Sequence, residues 1–69
     1  MSPKIIDLEL YCFHETGAAY LVSVELDRKE AIWLPKSLCE RGDEVRQVKG
    51  IGLYEFQIEE WIAIDKELI

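Results

Sequence analysis

The strongest constraint on the fold is an alternation of apolar and polar side chains at every second residue. It occurs first in Lys4–Phe13 and again in Ala18–Leu26 and Leu53–Ile58. A period of two is typical of a β-strand that buries one face. His14–Gly17, between the first two segments, contains a glycine and resembles a hairpin turn. The pattern therefore predicts antiparallel strands, of which the first two form a hairpin.

A third strand is predicted at Ala31–Pro35, which carries apolar side chains on both faces. Asp27–Glu30 before it is a short charged turn, and Pro35 ends it because proline cannot donate to a sheet ladder. Ser37 followed three residues later by Glu40 is typical of the start of a single helical turn. The first three strands thus form a meander that leads into a short helical connection.

Arg41–Asp43 is predicted to be a turn that leads into a fourth strand, Glu44–Lys49. Glu59–Ile69 has acids at its start, which favour a helix N-terminus. Its apolar residues Trp61, Ile64 and Leu68 recur at helical spacing and predict the face that packs on the sheet.

Residues 1–69 are therefore expected to form a single small β domain. The predicted class is mainly β: a five-stranded antiparallel bent sheet, or an SH3-like or OB-like barrel, with one short C-terminal helix. The predicted core consists of alternating apolar positions in four of the strands: Leu8, Leu10, Val22, Val24, Leu34, Phe56 and Ile58.

The charge of the chain is −6, and it is unevenly distributed. Residues 28–49 hold six basic residues against four acids, whereas residues 1–27 hold one lysine against five acids. A general duplex-DNA binder is expected to be basic overall, so this balance argues against that function. The basic middle segment is still a candidate for attracting a small anion.

No apolar block of the signal-peptide type follows Met1–Lys4, and no run reaches the length of a membrane span. We therefore expect a cytoplasmic protein. Cys12 and Cys39 are expected to be free thiols, the first a small core residue and the second in a loop; the alternative is a single disulfide between them. With His14 they give only three scattered metal ligands, so neither a metal site nor a cofactor is expected.

The candidate binding residues are Trp33, Lys36, Ser37, Arg41 and Arg46. Small barrels bind nucleotides and single strands by combining aromatic stacking surfaces with basic residues, and Tyr11 or Phe13 could add a second ring. In the simpler interpretation, Trp33 belongs to the core and Lys36–Ser37 is only a solvated turn. No nucleophile elbow, phosphate loop or HExxH helix is present, so we expect no enzymatic activity.

Two segments resemble a family of short, largely uncharacterised phage and prophage proteins. Residues 31–37 are similar to its Trp-(Leu/Ile)-Pro-(Lys/Arg)-Ser segment, and residues 58–69 to its C-terminal Glu-Trp-Leu-Ala-x-x-Lys-Gly-Leu-Ile. The chain differs at Glu59, where the family usually has proline, and at Glu67, where it usually has glycine. The resemblance implies a phage accessory protein and supplies no catalytic residues.

Two functions are compatible with these observations. One is a noncatalytic accessory protein that binds a host protein, for example as an inhibitor of a defence or nucleic-acid-processing protein, through charge complementarity of its acidic segments. The other is a binder of a nucleotide or of single-stranded nucleic acid, for example one that sequesters a signalling nucleotide. An acidic face in the structure would favour the first, and a basic, aromatic pocket the second.

A homodimer is also expected. Apolar residues on the second face of the predicted sheet, including Leu21, Ile32 and Leu53, require a cover. A two-fold dimer supplies one most simply, because a single self-complementary surface closes the assembly.

Overall fold

The computed structural model describes residues 4–69. Met1–Pro3, which belong to the N-terminal segment predicted not to be a signal peptide, lie outside that range. It contains five strands, two 3₁₀ turns and one α-helix. The strands are β1 Ile5–Glu15, β2 Ala19–Ser23, β3 Ile32–Pro35, β4 Cys39–Val48 and β5 Ile51–Glu59. The 3₁₀ turns are Arg28–Glu30 and Lys36–Leu38, and the helix α1 is Glu60–Asp65. No helix within residues 4–69 has the length and apolar character needed to cross a bilayer.

The strands form one antiparallel sheet in the order β3-β2-β1-β5-β4. The prediction of a mainly β fold with five antiparallel strands and a C-terminal helix is confirmed. Of its two forms, the bent sheet is correct and the barrel is wrong, because β3 and β4 are the two edges of an unclosed sheet.

One face of the sheet, here called the core face, is covered by α1 and the segment after it. Its buried residues are Leu10, Val22, Leu34, Phe56, Ile58, Ile62, Ala63 and Leu68. Five of the seven predicted core residues are among them, and Leu8 packs against the cluster while partly exposed. Val24 was wrongly predicted to be buried: β2 ends at Ser23, whose hydroxyl accepts a hydrogen bond from the Glu25 amide at 3.1 Å, and Val24 is 45% exposed.

The opposite face of the sheet, here called the outer face, carries Tyr11, Leu21 and Trp33. Trp33 is 49% exposed, so its assignment to the core is wrong. Ile32 pairs with Val22 and packs on the core face rather than the outer one. Leu53 is on the outer face opposite Tyr11, yet it is only 4% exposed within the single chain.

The fourth strand is longer than predicted. It begins at Cys39, so Cys39 is not in a loop and Arg41–Asp43 is not a turn. The pairing with β5 shifts between Arg41 and Glu44 and again between Glu44 and Arg46. These bulges place Arg41 and Glu44, which are three residues apart, opposite the core-face residues Phe56 and Tyr54.

The helix α1 ends in a Schellman motif. The Leu68 amide donates to the Ala63 carbonyl at 2.8 Å, and the Glu67 amide donates to the Ile64 carbonyl at 3.0 Å. This fold-back buries Leu68 beside Ala63, whereas Trp61 and Ile64 point to solvent. The predicted packing face of the helix is therefore wrong for Trp61 and Ile64 and correct for Leu68.

Candidate functional site

Five side chains from five separate elements meet at the open side of the curled sheet. We call this group the tyrosine–arginine cluster: Glu15, Tyr20, Lys36, Arg41 and Tyr54. Although β1 and β5 lie between β2 and β4 in the sheet, Tyr20 of β2 contacts Arg41 of β4. The sheet must therefore curl so that the core face is concave.

Arg41 is held between two aromatic rings. Its guanidinium carbon lies 4.9 Å from the centre of the Tyr20 ring and 4.7 Å from that of Tyr54. The ammonium of Lys36 lies 5.0 Å from the Tyr20 ring centre. Tyr20 in turn packs edge-to-face on the core residue Phe56, with ring centres 5.4 Å apart. The cluster thus continues the hydrophobic core with cation–π contacts.

Glu15 joins the two cations. Its Oε2 accepts a hydrogen bond from Lys36 Nζ at 2.6 Å, and its Oε1 accepts one from Arg41 Nη1 at 2.9 Å. The hydrogen bond from Lys36, together with Arg41, lowers the pKa of Glu15. Partial burial opposes the charge on Arg41, but the hydrogen bond and charge of Glu15 outweigh burial and raise the pKa of Arg41. Both partners therefore stay ionised at neutral pH.

Tyr54 is positioned by a glycine and an acid. A Cβ on Gly52 would lie 2.6 Å from Cε2 of the Tyr54 ring, so only glycine leaves space for the ring there. A hydrogen bond to Glu44, the carboxylate opposite it on β4, is the main reason that the pKa of the Tyr54 hydroxyl is raised. Gly52 and Glu44 together hold the Tyr54 ring in its place against the Arg41 guanidinium.

The outer face has one end that is strongly acidic. We define the acidic end by five side chains on β1, β4 and β5: Asp7, Glu9, Glu40, Glu55 and Glu59. Glu9 and Glu55 are exposed and directly opposite each other on neighbouring strands, an arrangement that disfavours folding. Within residues 4–69, none of the five acids forms an ion pair shorter than 4.0 Å.

The other end of the outer face is aromatic and less charged. Trp33 packs edge-to-face on His14, with ring centres 6.2 Å apart, and its strand neighbour there is Leu21. This half-exposed tryptophan is the kind of residue that dominates binding energy in interfaces.

A groove of about 430 Å³ opens beside the acidic end. Ile5 and the 3₁₀ residue Leu38 are its exposed apolar walls. Residues 57–59 of β5 also line it, with the Gln57 side chain exposed and the Ile58 side chain in the core. Glu40 and Glu59 stand at its rim. We call it the Ile5–Leu38 groove. Lys36 and Ser37 also line it, so the turn that was singled out in the sequence borders a cavity.

The structure separates the five predicted binding residues. Lys36 and Arg41 meet through Glu15, and the exposed Ser37 follows Lys36 along the groove. Trp33 and Arg46 lie on the outer face, on the two edge strands, with three strands between them. They cannot form one site with the other three.

Sequence reasoning missed the three other members of the cluster, Glu15, Tyr20 and Tyr54. Glu15 and Arg41 are 26 residues apart, so no local pattern links them. Tyr20 and Tyr54 each continue the apolar alternation of their strands, which does not distinguish them from ordinary core residues. The close spacing of Gly52 and Tyr54 was the available signal for a ring lying over a glycine. The proposed stacking residue Tyr11 is on the outer face, and Phe13 is the extra residue of a bulge in β1, so neither joins the cluster.

The two cysteines are free and half-buried. Burial raises the pKa of the Cys12 thiol, against the effect of nearby Arg41, and burial also raises the pKa of Cys39. Such thiols are protonated at neutral pH and are poor nucleophiles.

Within residues 4–69 no group of three or more His, Cys, Asp or Glu side chains is arranged to hold a metal ion. Neither a protein-family model, nor a curated protein, nor a solved structure matches this chain.

Proposed function

We propose that the protein is a noncatalytic accessory protein that binds a basic surface of a macromolecular partner through the acidic end of its outer face. The observation that carries the proposal is that four of the five acids there are exposed and that, within residues 4–69, none of the five forms an ion pair; the opposed Glu9 and Glu55 are among the exposed ones. Like charges across a strand pair cost stability, so their presence on a surface that is free to carry any polar residue needs another reason. Binding to a positively charged partner is such a reason, because it removes the repulsion.

The resemblance to phage proteins suggests the kind of partner. A basic groove on a host defence or nucleic-acid-processing protein normally accepts phosphates, and a row of carboxylates at strand spacing competes for it by the same electrostatic attraction. The protein then acts as an inhibitor by occupying the groove, in the cytoplasm of the host cell.

The test compares two variants that lose the same charge. Glu9→Gln/Glu55→Gln neutralises the acidic end, and Glu25→Gln/Glu30→Gln removes two exposed acids outside it. Each protein is immobilised and used to capture proteins from a bacterial lysate, and the captured proteins are identified by mass spectrometry. We expect a stoichiometric partner with the wild type and the control that is lost with Glu9→Gln/Glu55→Gln. Equal capture by both variants, or none by the wild type, contradicts the proposal.

A second candidate function is binding of a nucleotide or single-stranded nucleic acid, and the tyrosine–arginine cluster favours it because two cations and two rings converge there. Glu15 already occupies both cations, so an anionic ligand has to displace it. Nucleotide titrations of wild type and Glu15→Gln decide the matter. Tighter binding by Glu15→Gln supports the ligand site, whereas no binding by either protein contradicts it and leaves the cluster with a structural role.

A further inference from the structure

We infer that the Ile5–Leu38 groove accepts one apolar side chain of the partner, and that the residues beside it in the partner are lysine or arginine. This inference rests on the proposed function and specifies what the acidic end recognises. The occupant is a short segment of another protein in which a basic residue precedes and follows an apolar one.

The apolar part of the inference comes from the walls of the groove. Ile5 is 57% exposed and Leu38 is 37% exposed, and both line the cavity. Its volume lies within the range of about 300–1,000 Å³ that is usual for ligand sites. An apolar side chain that enters it removes both walls from water and gains the hydrophobic free energy of their burial.

The basic part comes from the rim. Glu40 and Glu59 border the groove, and Lys36, the cation that also borders it, is already paired with Glu15. Glu40 also lines a neighbouring depression of about 180 Å³ together with Asp7, Glu55 and Arg41, whose charge is already paired with Glu15. A chain that leaves the groove in this direction therefore meets carboxylates, and charge complementarity selects lysine or arginine at those positions.

The rim is also held in place. The Trp61 indole N–H donates a hydrogen bond to the carboxylate of Glu59. Trp61 itself is 60% exposed and extends the apolar surface beyond the groove. A fixed carboxylate beside an exposed aromatic ring is suited to a cationic side chain, which contacts both the charge and the ring.

Three blocked tripeptides test the inference: acetyl-Arg-Leu-Arg-amide, acetyl-Arg-Ser-Arg-amide and acetyl-Glu-Leu-Glu-amide. Each is titrated into the ¹⁵N-labelled protein, and the amide shifts of Leu38, Glu40 and Gln57 are followed by NMR. We expect saturable shifts with Arg-Leu-Arg, at least about tenfold weaker binding with Arg-Ser-Arg because the leucine side chain is missing, and no binding with Glu-Leu-Glu. Equal affinities for the leucine and serine peptides, or no shifts with Arg-Leu-Arg up to about 10 mM, overturn the inference.

Variants locate the site. Leu38→Ser and Glu40→Lys are expected to weaken Arg-Leu-Arg binding by about tenfold or more, and Glu25→Lys, an exposed acid outside the acidic end, is expected to leave it unchanged. Unchanged affinity in Leu38→Ser overturns the inference.

Lysate capture separates the inference from the proposed function. A partner that is lost with Glu9→Gln/Glu55→Gln but retained by Leu38→Ser overturns the inference and leaves the proposed function standing. Loss of the partner with Leu38→Ser as well supports both.

Discussion

Glu15 is the residue through which the two cations at the open side of the sheet are linked, and its charge state controls the cluster. Its pKa is lowered in the folded protein, first by the hydrogen bond from Lys36 and also by Arg41. A carboxyl group with a lowered folded pKa adds stability above its unfolded pKa, and this stability is lost as the pH falls through the folded value.

We therefore predict that the melting temperature of the wild type falls as the pH is lowered below about 4.5, the ordinary pKa of a glutamate, because Glu15 becomes protonated. Glu15→Gln removes the ionisable group, so it should melt at a lower temperature at pH 7 and lose less of its melting temperature in acid. Thermal melts from pH 3 to pH 7 measure it, and Glu25→Gln is the control that retains the cluster. The same pH dependence in wild type and Glu15→Gln would show that the charge of Glu15 contributes nothing to folding.

Gly52 determines where the Tyr54 ring lies, because an added Cβ would be 2.6 Å from it. We predict that Gly52→Ala displaces the ring, weakens its contact with Arg41 and destabilises the fold by about 1–3 kcal/mol, as overpacking does. In a Tyr54→Leu background the same substitution should cost less, and a double-mutant cycle from denaturant unfolding measures the difference. Gly17→Ala, whose Cβ has no neighbour within 4 Å, is the neutral control. Equal costs in both backgrounds would mean that Gly52 is required for some other reason.

At the scale of elements, the end of α1 contains a strained residue. Glu67 has a φ of 58° at the position of the Schellman motif where glycine is preferred. We predict that Glu67→Gly raises the free energy of unfolding by about 1 kcal/mol, because glycine adopts this conformation without steric cost. Lys66→Gly, at a φ of −87°, should lower it by roughly 0.5–1 kcal/mol. Urea unfolding of both variants measures the effects, and destabilisation by Glu67→Gly would contradict the assignment of strain.

The positions of β1, β3 and β5 were predictable from the sequence, whereas β2 ends before its predicted end at Leu26 and β4 begins before its predicted start at Glu44. β1 and β5 were found within two residues of their ends because one of their faces is uniformly apolar. β4 was predicted only in its second half, because charged Arg41 and Glu44 occupy its core face and two bulges break the period of two. A strand whose buried side is made of ion pairs and cation–π contacts leaves no hydrophobic pattern to read.

The same reasoning applies to the candidate site. Lys36 and Arg41 were found because both lie in a basic segment beside aromatic residues, but Glu15, which joins them, is distant in sequence. The helix face was misassigned because the chain after α1 folds back and buries Leu68, so Trp61 and Ile64 need not pack on the sheet. Contacts between residues that are distant in sequence, and a fold-back of the chain onto the core, leave no pattern in any stretch of ten residues.

At the scale of the whole molecule, stability depends on the core face. We predict that Phe56→Ala destabilises the protein by about 3–5 kcal/mol, because Phe56 is fully buried in the concave sheet and contacts Tyr20. Trp33→Ala should cost much less, because half of its surface is exposed and its contact is with His14 at the edge. Chemical denaturation compares the two. Equal and large losses would show that the outer face is as important to folding as the core face.

The two-fold dimer stays a prediction, and the structure changes its basis. Ile32 is on the core face and Leu53 is covered within one chain. The end with Trp33 and Leu21 is therefore the uncovered apolar part of the outer face that lies away from the acidic end. We expect light scattering over a dilution series to give twice the chain mass of 8.0 kDa at high concentration, and Trp33→Glu to remain at the single mass. A wild type that stays at 8.0 kDa would exclude a dimer.

The curled sheet also has a seam, since β3 and β4 lie at opposite edges and, within residues 4–69, the cluster links the two halves through side chains rather than a backbone ladder. Local opening at this seam therefore costs the ion pairs, the cation–π contacts and the packing of Tyr20 and Tyr54 against the core, while the strands stay paired. Cys12, which lies beside Arg41 and is half-buried, becomes more exposed when the seam opens. In a Cys39→Ser background, its reaction with a thiol reagent should therefore be faster in Glu15→Gln than with Glu15 present, under conditions where both proteins stay folded.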